Sequence, residues 1–150
     1  MAVLARAQQD AIWRRTKASN ELRAVLREYY PGFLAAFAGK SATNLASTEA
    51  RAILAIAPTP ATGAALAKAR IAAALRRAGR TRCVDRAAAD IKTALREPQL
   101  RQPELVEKAM GVQALALLGT LDAACTGADD LAAAISEYFQ QHPDYEVITS

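Results

Sequence analysis

Between Pro103 and about Gln141 the apolar residues recur every seven positions. One series is Met110, Leu117, Ala124, Leu131 and Tyr138; the other is Ala114, Leu121, Ala128 and Ile135. Two interleaved rows held over about four heptads predict a coiled-coil-like helix over 103–141. At ~1.5 Å per residue it is about 55–60 Å long. Pro103 suits the first helical position, and Glu104 and Glu107 put negative charge where the helix dipole favours it. His142-Pro143 is the expected stop, because the residue before a proline is pushed out of the helical region. The seam formed by Met110, Leu117, Leu121, Leu131, Ile135 and Tyr138 needs a partner. Residues 4–29 of the same chain, a second chain, or both can fill it.

The rest of the chain is read against that helix. Residues 3–30 predict a second long helix, with rows Leu4, Ala11, Ala18, Val25 and Ala5, Ile12, Leu26. Leu22 and Tyr29 lie beside these rows, Ser19 interrupts the second, and Trp13 is the expected interhelical anchor. Its outer face is basic, with Arg6, Arg14, Arg15, Lys17, Arg23 and Arg27. Pro31-Gly32 breaks it, a short helical turn follows from Phe33 to Phe37, and Gly39 to Ala46 reads as a loop. Ser47 is the expected N-cap of a helix from Thr48 to about Ile56. Thr59 caps the next, which starts at Pro60, runs to about Ala78 and ends on Gly79. A last short helix spans about Cys83 to Arg96 or Glu97, and Asp144 to Ser150 forms a tail. The predicted fold is all-α. Long helices at about 3–30 and 103–141 form an antiparallel, coiled-coil-like pair. Three to four short helices within 31–101 form a bundle at its tip, in one helical region of 150 residues.

Alanine supplies much of the 52% hydrophobic content and aromatics only 5%, a composition for closely approaching helices. The N-terminus lacks the apolar core of a signal peptide, and the most apolar run, Gly111 to Leu121, is too short for a bilayer and carries Gln113. The expectation is a cytoplasmic protein without a membrane partner, with Cys83 and Cys125 as free, buried thiols. Charge is split sharply. Residues 1–101 hold 18 Lys/Arg and 7 Asp/Glu, whereas residues 102–150 hold 1 Lys and 8 Asp/Glu. The most basic place is the turn at Gly79, where Lys68, Arg70, Arg76, Arg77, Arg80, Arg82 and Arg86 face Asp85 alone. Arginines on both sides of a turn can hold phosphates from several directions, which positions a nucleic acid without reading its sequence. The bland alternative is that they solvate an alanine-rich helix. No catalytic constellation, metal motif or cofactor signature is legible; the chain has one histidine and no HExxH, CxxC, GxGxxG or GxxxxGK[ST].

Several stretches carry a family resemblance: Leu4 to Trp13, Leu26-Arg-Glu-Tyr-Tyr-Pro31 within Ser19 to Phe37, Ala57-Pro-Thr-Pro60, Ala69-Arg-Ile71, Leu75-Arg-Arg-Ala-Gly-Arg80 and Phe139-Gln-Gln-His-Pro-Asp144. Together they resemble the middle of transposases of the insertion-sequence 110 family (with 116 and 902), the bridge-RNA-guided recombinases. The resemblance implies a plan of an N-terminal RuvC-like domain with a DEDD set of metal ligands, a helical coiled-coil region, and a C-terminal domain with a catalytic serine. It also implies oligomers that act on DNA with a structured guide RNA. No DEDD residue and no catalytic serine carries over to any position here. The implied role is the connecting helical region of a bacterial, cytoplasmic transposase. It would contact DNA or structured RNA, form a homo-oligomer through its long helices and be inactive in transposition on its own. The alternative is a purely structural helical module.

Overall fold

A computed structural model describes residues 2–38 and 45–141 of the chain. These residues form seven helices: α1 (Ala2–Tyr29), α2 (Pro31–Ala36), α3 (Thr48–Ile56), α4 (Pro60–Ala65), α5 (Lys68–Arg77), α6 (Val84–Arg96) and α7 (Glu104–Gln141). No strand occurs among them. The expected stop at His142-Pro143, the tail from Asp144 and most of the loop before Ser47 lie outside the described residues.

The two long helices lie antiparallel. At one end the Gln102 side-chain amide donates to the carbonyl of Glu28 at 3.2 Å. Farther along, residues 11–21 of α1 face residues 120–131 of α7 across a shared groove. On α7 the buried residues are Glu107, Gly111, Ala114, Leu118, Leu121 and Cys125. Their spacing of four and three is that of a coiled-coil seam. Ala114 and Leu121 belong to the rows read from the sequence, whereas Met110, Leu117 and Ala124 stand one position off the buried row and are half-buried. Leu131, Ile135 and Tyr138 are half-buried as well, so complete burial stops at Cys125. Both α1 and α3 of the same chain pack on α7.

The short helices assemble around the Tyr29-Tyr30-Phe33 junction, where all three rings are fully buried. Tyr30 and Phe33 have centroids 5.4 Å apart, and Leu22, Leu26, Ile53, Leu75 and Leu95 close round them. The caps follow the sequence signals. Ser47 Oγ accepts from the Ala50 amide at 3.1 Å. Thr59 and Thr62 cap each other reciprocally, the Thr62 amide on Thr59 Oγ1 and the Thr59 amide on Thr62 Oγ1. The Tyr29 hydroxyl donates to the Pro58 carbonyl at 2.7 Å, fastening this joint to the end of α1. A Cβ on Gly111 would come within 2.8 Å of Thr59 Cγ2, so the glycine lets α7 lie against the joint.

Three further details differ from the sequence reading. The helix expected from Pro60 to Ala78 is two helices, broken at Leu66 and Ala67, both in extended conformation (ψ 125° and 146°). The break turns Leu66 into the core, where it is 5% exposed, and Gly63 lets α4 meet Tyr30, whose hydroxyl a Cβ there would strike. Trp13 is no interhelical anchor: it is 63% exposed. The buried row of α1 passes through Ala11, Ala18, Leu22 and Leu26, and a residue two after Ala11 lies about 200° round the helix. Both cysteines are free, with Cys125 buried and Cys83 exposed.

By length and apolar character α7 could cross a membrane, although a core helix of a bundle passes the same test. In this fold 28% of its most apolar stretch is buried.

Candidate nucleic-acid interface

The basic turn is built by the end of α5 and the start of α6. Gly79 takes φ 101°, its amide bonds to the Arg76 carbonyl and the Arg80 amide reaches back to Leu75, both at 3.0 Å. This pairing is a Schellman ending, in which a left-handed glycine satisfies the last carbonyls of a helix. Four residues later Cys83 takes φ 52° and opens α6. The connection is therefore short and sharply bent. It is also pinned to α3, because the Thr48 hydroxyl donates to the Ala78 carbonyl at 3.1 Å.

The seven basic residues of this region divide into three groups. Arg80 is structural: its guanidinium holds both Glu49 carboxylate oxygens at 3.1 and 3.2 Å, and its Nε donates to the Arg82 carbonyl at 2.9 Å. Arg76, Arg77, Arg82 and Arg86 are exposed around the bend. Arg76 approaches Asp85 at 3.7 Å with both groups open to water, a pairing worth little. Lys68 and Arg70, also exposed, stand at the far end of α5, about 10 Å or more along the axis from the bend. Arg77 and Arg70 lie seven residues apart and share a helical row. Arg77 also borders a recess of about 370 Å³ with Arg51 and Asp122. Arg51 is held there by Asp122 at 3.0 Å, which ties α3 to α7. Exposed guanidiniums on a rigid, bent support can meet successive phosphates of a backbone without refolding.

Sequence reading missed a buried carboxylate. Glu107 is 3% exposed and takes both Arg101 Nε and Nη2 at 2.7 Å, together with the Gln102 amide at 3.2 Å. The paired Arg101 guanidinium holds its carboxyl below the usual range, against the opposing effect of burial. The one signal available was an arginine six residues ahead of a first-turn glutamate, and such spacing is common. Above this clasp, Val112 and Leu115 join Pro58 and Thr59 around an open recess of about 510 Å³. Among the described residues no group of three or more His, Cys, Asp or Glu is placed to hold a metal ion.

No protein-family model matches the chain, and no solved structure matches it. It is 47% identical over all 150 residues to a protein of Streptomyces coelicolor (strain ATCC BAA-471 / A3(2) / M145) described as "Mini-circle putative transposase for IS117". The chain spans 36% of that protein's length. The likeness leaves no part of this chain uncovered and is confined to one portion of that protein.

Proposed function

We propose that the chain is the helical spacer of a transposase of the insertion-sequence 110 type, and that it contacts DNA or a structured guide RNA through the bend between α5 and α6. The observation that carries this reading is the 47% identity over the whole chain to the IS117 protein. The exposed Arg76, Arg77, Arg82 and Arg86 on one pinned bend supply the surface, with Lys68 and Arg70 extending it along α5. In this role the chain positions nucleic acid and associates with further copies through its long helices, and the strand-transfer chemistry belongs to other domains.

The test is affinity for duplex DNA and for an RNA stem as salt is raised. Each phosphate contact contributes about −0.9 to the slope of log affinity against log salt for duplex DNA. Replacing Arg76, Arg77 and Arg82 together with Ala is expected to flatten that slope by about 2–3 and to weaken binding to all sequences alike. Arg80 is left in place because it holds Glu49. Unchanged affinity and slope in the triple variant overturn the assignment and leave the structural-module reading.

A further inference from the structure

Trp13 is the sole tryptophan of the chain, and it is 63% exposed. Its indole borders two depressions. One, of about 550 Å³, runs between α1 and α7, with Ala123, Ala124, Gly127 and Ala128 on the facing wall. The other, of about 450 Å³, lies along α1 and includes Thr16, Asn20 and Ala24. Small residues keep the α7 wall low; a Cβ on Gly127 would meet nothing within 4 Å. Arg14 and Lys17 also line the first depression, with Glu21, and Lys17 Nζ stands 5.3 Å from the indole centroid.

An exposed indole beside two cations, over a groove floored by alanine and glycine, matches a flat π-system carried on a phosphate chain. Bases stack on aromatic faces whatever their identity, and cations within one nucleotide's reach hold the backbone. Lys17 already shows that the ring attracts a cation from one side. An apolar helix from a protein partner would fill the groove yet bring no anion to the Arg14 guanidinium or the Lys17 ammonium. We propose that the Trp13 groove receives a single-stranded segment of nucleic acid, with one unpaired base stacked on the indole and neighbouring phosphates on Arg14 and Lys17. This deepens the nucleic-acid reading above and rests on it, but it uses a different surface and an unpaired strand, so the two can fail separately.

The indole is its own reporter. Emission of Trp13 is followed while a short oligothymidylate, the matching oligouridylate, or an abasic strand of equal length is added to the full chain. Saturable quenching by the base-bearing strands and none by the abasic strand is the expected result, and the stronger of the two quenchers tells DNA from RNA. Trp13→Ala, whose fold is checked by circular dichroism, is expected to weaken oligothymidylate binding at least about fivefold relative to duplex binding. Binding is followed by anisotropy of the labelled strand. The triple variant Arg76→Ala, Arg77→Ala, Arg82→Ala should lose duplex affinity and keep the quenching. Equal quenching by the abasic strand, no quenching when anisotropy shows saturation, or an unchanged affinity ratio in Trp13→Ala overturns the proposal. Emission that shifts with protein concentration alone overturns it too, by assigning the groove to a second copy.

Discussion

Glu107 shows how much one side chain can hold. Its carboxylate joins the chain entering α7 to the helix itself through Arg101 and the Gln102 amide. Because the paired Arg101 keeps its carboxyl below the ordinary range, the clasp contributes stability that is present above the unfolded carboxyl pKa of about 4.3 and is lost as pH falls through the lower folded value. Glu107→Gln is expected to cost about 1–3 kcal/mol at neutral pH and to flatten the acid limb of a denaturation profile. An acid limb identical to the parent's would deny the clasp that role. Tyr30 is the converse case. Its hydroxyl is buried without a hydrogen-bond partner among the described residues, directed at Gly63. Removing an unpaired buried hydroxyl relieves a desolvation cost, so Tyr30→Phe should leave stability unchanged or raise it by up to about 2 kcal/mol in urea titrations. By contrast Tyr29, whose hydroxyl binds Pro58 at 2.7 Å, should lose stability on the same change. Neither distinction is legible in Tyr29-Tyr30 as sequence. Both are aromatic residues beside a helix end, and only the arrival of Pro58 and Gly63 from elsewhere separates them.

At the scale of the element, what could be read was punctuation. Ser47, Thr59, Pro60 and Gly79 act locally, through caps and dihedral angles, and the chain carries those instructions wherever it goes. Gly79 puts a number on this. Nothing lies within 4 Å of a Cβ there, yet φ is 101°, so Gly79→Ala tests conformation alone. A loss of about 1–2 kcal/mol is expected, with the fold retained; a loss near zero would mean that the bend is not fixed by the Schellman ending. The break at Leu66 carries no such mark. Residues 60–78 read as one helix because Leu66 and Ala67 favour helix locally, and the break exists because Leu66 gains more by entering the core. The register on α7 failed to show for a related reason. In an alanine-rich helix neighbouring rows differ little in hydrophobicity, so Gly111, Leu118 and Cys125 could not be told from Met110, Leu117 and Ala124 by pattern. The partner decides: Gly111 is buried because the Pro58-Thr59 joint needs a residue without a side chain there. The basic turn was legible as a cluster, but not the division of labour that takes Arg80 out of the solvent-facing set and gives it to Glu49.

For the whole molecule, the all-helical plan with long helices at both ends was legible because heptad spacing and proline positions act over tens of residues. What the pattern left open was how α7 is covered. In the structure α1 and α3 occupy its buried row, and a second apolar row remains outside. Leu105 is 80% and Val112 70% exposed, and the exposed Ala109, Ala116 and Ala123 continue at the same four-and-three spacing. An exposed apolar strip along a long helix is what a second long helix covers. If further copies join through the long helices, this outer face is the place, and the inner seam stays within the chain. Light scattering of the parent is then expected to give a dimer or higher mass, and Leu105→Glu with Val112→Glu should return a monomer of unchanged helicity. Neither position contributes to the buried row, so the double change should not unfold the chain. A parent that is monomeric over the whole concentration range removes self-association through this face. A monomer that partitions onto lipid vesicles, and loses that affinity in the double variant, assigns the strip to a membrane surface instead, the use that the hydropathy of α7 also permits.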